Sequence, residues 1–245
     1  MNFERVARTV LAYASLTGGT VVFGGAAGVC GIAGRVDLAD RCAAQWSRML
    51  LASFGVRVEA HGLEHAVGLG PTVILSSHRS HLDGPLLLAS LPMNFSIVIK
   101  RSLAQIPVWG WAATHAGYIS IDRRDHGDAL SGMRRAAEVV RAGRRVLVFP
   151  EGSRSKTGDF NTFKKGGAVL AIEAQAPILP VAIAGTAALL PPGANSARSG
   201  RAVMCVGRPI PTTGATYEDR DRVLAEAEAA IKALYAEAEA RLARK

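Results

Sequence analysis

Between residues 56 and 206, short apolar, β-branched runs alternate with stretches of helical periodicity. The runs at 56–59, 72–75, 96–99, 118–121, 146–149, 178–183 and 203–206 are of strand length and predict seven strands. Helical patterns fall between them near 84–91, 104–114, 127–142 and 166–175, the third of which ends at Gly143, a residue suited to a helix C-terminus. This alternation predicts an α/β fold in which a mostly parallel central sheet is covered by helices. The Pro-, Gly- and Ser-containing stretch 191–201 predicts a surface loop. A capping box, Thr216-Tyr217-Glu218-Asp219, opens a last helix with Val223, Ala227, Ile231 and Leu234 on its apolar face.

Upstream of residue 55 the pattern changes. Residues 9–34 carry no charge and lie between Arg5 and Arg8 on one side and Arg35 on the other. They are long enough to cross a bilayer. Seven glycines, at 18, 19, 24, 25, 28, 31 and 34, lower the helix propensity of this stretch. Three readings stay open: a signal peptide, one spanning helix, or a helical hairpin dipping into one leaflet with its turn at Gly18-Gly19 or Gly24-Gly25. Val29 stands where a lipoprotein cleavage box before Cys30 needs a small residue, which counts against the first. Residues 36–54 read as an amphipathic helix whose Trp46 and Arg48 suit either a membrane interface or packing on the domain. The chain thus divides into an N-terminal membrane-associated helical segment, 1–54, and an α/β domain, 55–245, with no internal repeat.

A hydrophobic content of 49% is high for a soluble protein and agrees with a membrane segment, while the net charge of +9 asks for an anionic partner or surface. Anionic lipid, a phosphorylated substrate and nucleic acid all qualify, but no DNA- or RNA-binding pattern is present, so nucleic acid is not an expected partner. Cys30, Cys42 and Cys205 are scattered, form no Cys-x2-Cys pair and belong to no zinc-spaced cluster. They read as reduced structural thiols, and no metal is expected. Gly-x-Gly-x-x-Gly, Walker and Gly-x-Ser-x-Gly patterns are missing, which weakens dinucleotide, nucleotide-hydrolase and serine-hydrolase readings.

The chemistry is concentrated in Ser76-Ser77-His78-Arg79-Ser80-His81-Leu82-Asp83, between a predicted strand and a predicted helix. Histidine is the side chain best able to take and return a proton near neutrality, and a carboxylate on one ring nitrogen fixes its tautomer. On one regular helix a five-residue spacing turns the side chains about 140° apart. Pairing of His78 with Asp83 therefore requires a bend, with His78 at the strand end and Asp83 in the first turn of the helix.

Downstream lie Lys100-Arg-Ser-Leu103, Gly117-Tyr-Ile-Ser-Ile-Asp122-Arg123, Phe149-Pro-Glu-Gly-Ser-Arg-Ser155 and the apolar block Pro177-Ile-Leu-Pro180-Val-Ala-Ile183. In this order, over roughly residues 70 to 190, the chain resembles the glycerophospholipid acyltransferase family, and is most similar to its bacterial 1-acylglycerol-3-phosphate (lysophosphatidate) acyltransferases. The resemblance implies a membrane O-acyltransferase of phospholipid biosynthesis. It would move a fatty acyl chain from an acyl thioester, acyl-CoA or acyl carrier protein, to the free hydroxyl of lysophosphatidate, forming phosphatidate. His78 would be the general base and Asp83 its orienting partner. Lys100, Arg123, Glu151, Gly152, Ser153 and Arg154 would bind the phosphate-bearing acceptor, Glu151 either at the glycerol or holding Arg154. No cofactor or metal is implied, and His81 falls on an unspecified position as a surface or packing residue; the sequence does not show which donors meet the oxyanion, for which backbone N–H groups near Gly84 or Gly152 are candidates. Use of cytosolic thioesters favours permanent attachment to the cell membrane, with the site facing the cytoplasm, over export. Ser102 stands where many members carry Glu, and Ser153 where Thr is commoner, which leaves the acceptor open to glycerol 3-phosphate or another lysolipid such as a lyso-ornithine lipid. A thioesterase or lipase using the same histidine, and a non-catalytic basic membrane-binding protein, are the competing classes.

Overall fold

Seven strands form one mixed sheet among the described residues of the computed structural model of the protein, which are all but 1, 2, 123, 156–158, 192, 195–197 and 245. They are β1 (Val56–His61), β2 (Thr72–Ser76), β3 (Ser96–Lys100), β4 (Ile119–Ile121), β5 (Arg145–Val148), β6 (Ile178–Ala184) and β7 (Gly200–Val206). The spatial order is β1-β7-β6-β2-β5-β3-β4. From β6 to β4 every pairing is parallel. β7 runs antiparallel to β6, and β1 pairs in parallel with β7, so these two strands reverse the direction of the sheet. All seven expected runs are strands, and the mostly parallel α/β architecture stands.

β2 is buried at every position, as befits a central parallel strand covered on both faces. Side-chain alternation sorts its residues. Val73 and Leu75 join Val146, Val148 and Ile178 against α7 (His126–Arg141), α8 (Gly166–Ala174) and α10 (Arg220–Ala243). Ile74, Leu147 and Leu179 belong to a second cluster, with Leu51 of α3 (Val36–Ser53), Leu86 and Leu87 of α4 (Asp83–Ser90), and Ala113 of α6 (Trp109–His115). The expected capping box is present: Thr216 and Asp219 cap a 3-10 turn that leads into α10.

Two expectations are corrected. The helix expected over 104–114 is two, α5 (Arg101–Ala104) and α6, parted by Pro107 and by Val108 with φ 62°. Proline has no N–H for the helical ladder, and a β-branched residue at positive φ cannot continue it. In the N-terminal segment neither double-glycine site makes a turn. Helices α1 (Phe3–Gly19) and α2 (Gly25–Ile32) are joined through one π-helical segment, Thr20–Gly24, with Gly19, Gly24 and Gly25 in right-handed helical conformation. The chain reverses later, at Gly34 (φ 71°), before α3.

Two of the glycines allow close approach. A Cβ on Gly28 would lie 2.0 Å from the Trp111 ring, and one on Gly31 would lie 2.2 Å from the carbonyl oxygen of His115. Packing of α2 on α6 and α3 therefore compensates for the low helix propensity. Residues Val10–Ile32 remain long and apolar enough to cross a bilayer, with Val21, Val22, Val29 and Ile32 exposed and Ala27 and Gly28 buried. Helix α3 is tied to the sheet by Asp40, which accepts from Nη2 of Arg144 at 3.2 Å, while Nε of Arg144 reaches Ser96 Oγ at 3.1 Å. Burial pushes the Asp40 carboxyl up to about 6 against the opposing charge of Arg144. Cys30, Cys42 and Cys205 are free thiols.

Candidate active site

His78 follows the end of β2, and Asp83 opens α4; the turn between them supplies the bend that their spacing demands. Nδ1 of His78 lies 3.0 Å from Asp83 Oδ2. The same oxygen accepts the backbone N–H groups of Arg79 (2.6 Å) and Ser80 (2.7 Å), while Oδ1 accepts the Thr186 hydroxyl at 2.6 Å. Asp83 is fully buried, so these four donors stand in for water around its carboxylate. With Nδ1 engaged, Nε2 is the nitrogen left for a substrate. The imidazole is stacked on Phe149 at 4.0 Å between centroids, which fixes its plane as well.

Glu151 lies beneath this turn. It is 3% exposed, Oε1 accepts the His78 backbone N–H at 2.9 Å, and Oε2 accepts that of Asn161 at 3.0 Å. Both oxygens thus join the histidine turn to the segment at 159–161, and among the described residues Glu151 forms no ion pair with Arg154. Burial raises the Glu151 pKa, opposed by the two N–H donors and by the charges of Arg79 and His78. Asn161 Nδ2 donates to the carbonyl of Ser153 at 3.0 Å, which steadies the turn carrying Arg154.

The imidazole lines a cavity of ≈ 610 Å³. Its polar side is formed by His78, His81, Lys100, Ser102, Ser153 and Arg154, several of them on loops that leave the C-terminal ends of parallel strands, where sheets of this kind gather ligands. Its remaining wall is mostly apolar and comes from separate helices: Phe23, Gly24 and Ala27 of the N-terminal rod, Ala43 and Trp46 of α3, Leu88 of α4, and Ala112 and Ala113 of α6. Trp46 therefore faces the cavity. Arg154 lines the same cavity as the imidazole, while its Nη1 is itself buried and has no hydrogen-bond partner among the described residues. His81, expected as a surface or packing residue, is exposed but also lines the cavity; partial desolvation and then the charge of Arg154 hold its pKa below the ordinary value.

The structure thus brings together His78, Asp83, Lys100, Gly152, Ser153 and Arg154, and sets Glu151 behind them. Arg123 lies outside the described residues. Of the two suggested sources of oxyanion donors, Gly84 lines the cavity, whereas the N–H of Gly152 is already given to the carbonyl of Phe149 at 3.0 Å. The contributions of Thr186, Phe149 and Asn161 were not anticipated. No motif in the chain marks Thr186; it reaches Asp83 only because β6 runs beside β2.

A family model described as Acyltransferase matches residues 57–184. The chain is 36% identical over 167 residues to 1-acyl-sn-glycerol-3-phosphate acyltransferase alpha of Homo sapiens, covering 68% of this chain and 59% of that protein. It is 33% identical over 151 residues to the chloroplastic 1-acyl-sn-glycerol-3-phosphate acyltransferase BAT2 of Brassica napus, covering 61% and 43% respectively. The matched region is thus under two thirds of the length of either relative. Across 99% of its length the chain superposes on 98% of the crystal structure of the 1-acyl-sn-glycerophosphate (LPA) acyltransferase PlsC from Thermotoga maritima, with a TM-score of 0.81 and 23% identity, a likeness of fold.

Proposed function

Since this chain belongs to the acyltransferase family, we propose that it transfers a fatty acyl group from an acyl thioester to the free hydroxyl of lysophosphatidate, yielding phosphatidate and a free thiol. The observation that carries this reading is an imidazole held at Nδ1 by a buried carboxylate and set against a largely apolar cavity whose polar side includes Lys100 and Arg154. Each of these parts answers to one portion of the reaction.

His78 Nε2 takes the proton of the acceptor hydroxyl as that oxygen attacks the thioester carbonyl, and Asp83 stabilises the imidazolium that forms. The tetrahedral oxyanion collapses, the carbon–sulfur bond breaks, and the imidazolium returns its proton to the departing thiolate. No covalent acyl-enzyme, metal or cofactor is required. Arg154 and Lys100, with Ser153, meet the acceptor phosphate, for which a guanidinium offers paired donors; Arg123 is assigned the same role from its motif alone. Glu151 supports the site from behind. The apolar wall takes the acyl chain, where each buried methylene is worth ~0.8 kcal/mol. Acyl-CoA and acyl carrier protein both remain suitable donors. The exposed face of the N-terminal rod seats the enzyme in the cell membrane, with the site on the cytoplasmic side.

The test is to incubate the membrane-reconstituted protein with labelled acyl-CoA, or acyl carrier protein, and a panel of acceptors, beside its His78→Ala variant. Labelled phosphatidate with lysophosphatidate and wild type only is the expected result. Free fatty acid with no acylated lipid would replace the reading with a thioesterase, and normal transfer by the folded variant would remove His78 as the base.

A further inference from the structure

Arg79 is adjacent to His78, but its side chain turns toward α10. It is 3% exposed. Its Cζ lies 4.2 Å from the ring centroid of Phe160 and 4.8 Å from that of Tyr235, and the two rings meet edge to face at 5.2 Å. Nη1 donates to the backbone carbonyl of Asp159 at 2.8 Å. At its other end, the Arg79 backbone N–H is one of the donors that fix Asp83. A buried guanidinium is costly unless its surroundings satisfy it, and an apolar side chain would fill the space with less desolvation. What an apolar residue would lack is the flat cation that stacks on two rings while donating to a carbonyl.

Those contacts join three pieces of chain. The turn from His78 to Asp83 carries the imidazole. The loop at 159–161 holds the turn of Ser153 and Arg154 through Asn161, and shares Glu151 with the His78 backbone. Tyr235 belongs to α10, which otherwise meets the site nowhere in the chemistry described above. We propose that Arg79 is a positioning residue for acyl transfer, clamped in the corner of Phe160 and Tyr235 so that the histidine turn and the Arg154 turn keep one mutual geometry, and that α10 acts on the reaction through Tyr235. The proposal rests on the acyl-transfer reading for its kinetic consequences but not for its structural ones.

Two measurements on Arg79→Met, Arg79→Lys and Tyr235→Leu in the full-length, membrane-reconstituted protein test it. The first is kcat and KM for donor and acceptor. Displacement of the reacting groups by a fraction of an ångström should lower kcat of Arg79→Met by about 10–100-fold, leaving the donor KM within about twofold. Arg79→Lys keeps the charge and should recover part of the loss; Tyr235→Leu should lose less, in the same sense. A residue that only stabilised the fold would lower the melting temperature and leave kcat per folded enzyme unchanged. The second is amide hydrogen exchange. Protection should fall together in the segments containing residues 78–80 and 159–161 in both Arg79→Met and Tyr235→Leu, with β1 and β7 unaffected. A kcat within twofold of wild type in folded Arg79→Met, or exchange that changes in only one of the two segments, overturns the proposal. Should the wild type acylate no acceptor, the functional reading fails, and the coupled or uncoupled exchange still decides whether Arg79 joins the two loops.

Discussion

Replacement of Asp83 by asparagine separates the charge of this residue from its shape, and the hydrogen bonds around it say what should happen. Oδ2 accepts from Nδ1 of His78 and from the backbone N–H groups of Arg79 and Ser80, all at 3.0 Å or less. Only an acceptor fits that position, so the asparagine carbonyl takes it and the amide NH2 falls beside Thr186, whose hydroxyl can turn to accept. The orientation and tautomer of His78 are then kept. What is lost is the negative charge that in the proposed reaction stabilises the imidazolium, and kcat should fall by about 10²–10³, the lower part of the range for positioned base catalysis, or about 3–4 kcal/mol in barrier. Asp83→Ala is the wrong control. It strands two buried backbone N–H groups besides the hydroxyl and the imidazole, at about 1–3 kcal/mol for each buried donor, a large part of the ~5–15 kcal/mol that holds a typical domain together. Initial rates at saturating donor and acceptor, beside thermal melting, form the assay. A folded Asp83→Asn enzyme with more than a third of the wild-type kcat would refute the role of the charge. Melting as low as that of Asp83→Ala would refute the assignment of the amide oxygen.

Three further outcomes are expected. Arg154→Met should raise KM for lysophosphatidate by about 10-fold or more, as one charge-assisted pair of donors is worth roughly 1.5–3 kcal/mol, while KM for the acyl donor stays put; an unchanged acceptor KM would exclude Arg154 from the phosphate. Gly24→Leu, which adds a side chain at the cavity wall where a Cβ has ordinary contacts with Val108 and Ala112, should shorten the preferred acyl chain, each excluded methylene lowering kcat/KM about fourfold for ~0.8 kcal/mol; the donor chain-length profile reads this, and an unshifted profile counts against the cavity as the acyl site. Asp40 has a carboxyl raised to about 6 in the folded protein, from 3.8, so the folded state binds its proton more tightly than the unfolded chain. Its contribution to stability therefore falls as pH rises from about 4 to about 6, by an order-of-magnitude 2–3 kcal/mol. Asp40→Asn should flatten the stability profile in that window, and parallel profiles for the two proteins would contradict the assignment.

Strands such as β2 and β6 were legible because each is a short, nearly unbroken apolar run, and burial of both sheet faces leaves little else for such runs to do, whereas β1 at the edge shows as alternation. The meeting of His78 with Asp83 was legible as a requirement for a bend. Other features depend on distances along the chain that no local pattern encodes. Glu151 sits in a motif that reads as a ligand contact, and nothing local shows that its two oxygens also accept from backbone groups 73 and 10 residues away. The seven glycines of the N-terminal segment argue locally against a helix, whereas Gly28 and Gly31 are the places where that helix touches Trp111 and the His115 carbonyl. Helical periodicity at 104–114 was outweighed by Pro107. The cavity wall, assembled from separate helices, had no signature at all.

The reversal of the sheet at β7 bears on how the chain is made. β1 is an edge strand, and its one partner, beginning at Gly200, leaves the ribosome about 140 residues after it, which at about 5–20 residues per second is roughly 7–30 s. During that interval β1, next to a helical segment already able to settle at the membrane, has its hydrogen-bonding edges open. Its sequence, Val56-Arg-Val-Glu-Ala-His61, alternates apolar with charged or titratable residues. Glu59 is later claimed by Arg201 of the late-arriving partner at 2.8 Å. Charges of this kind discourage pairing with a stray strand. They make β1 a strand that can wait, and they make the arrival of β7 the event that closes the sheet.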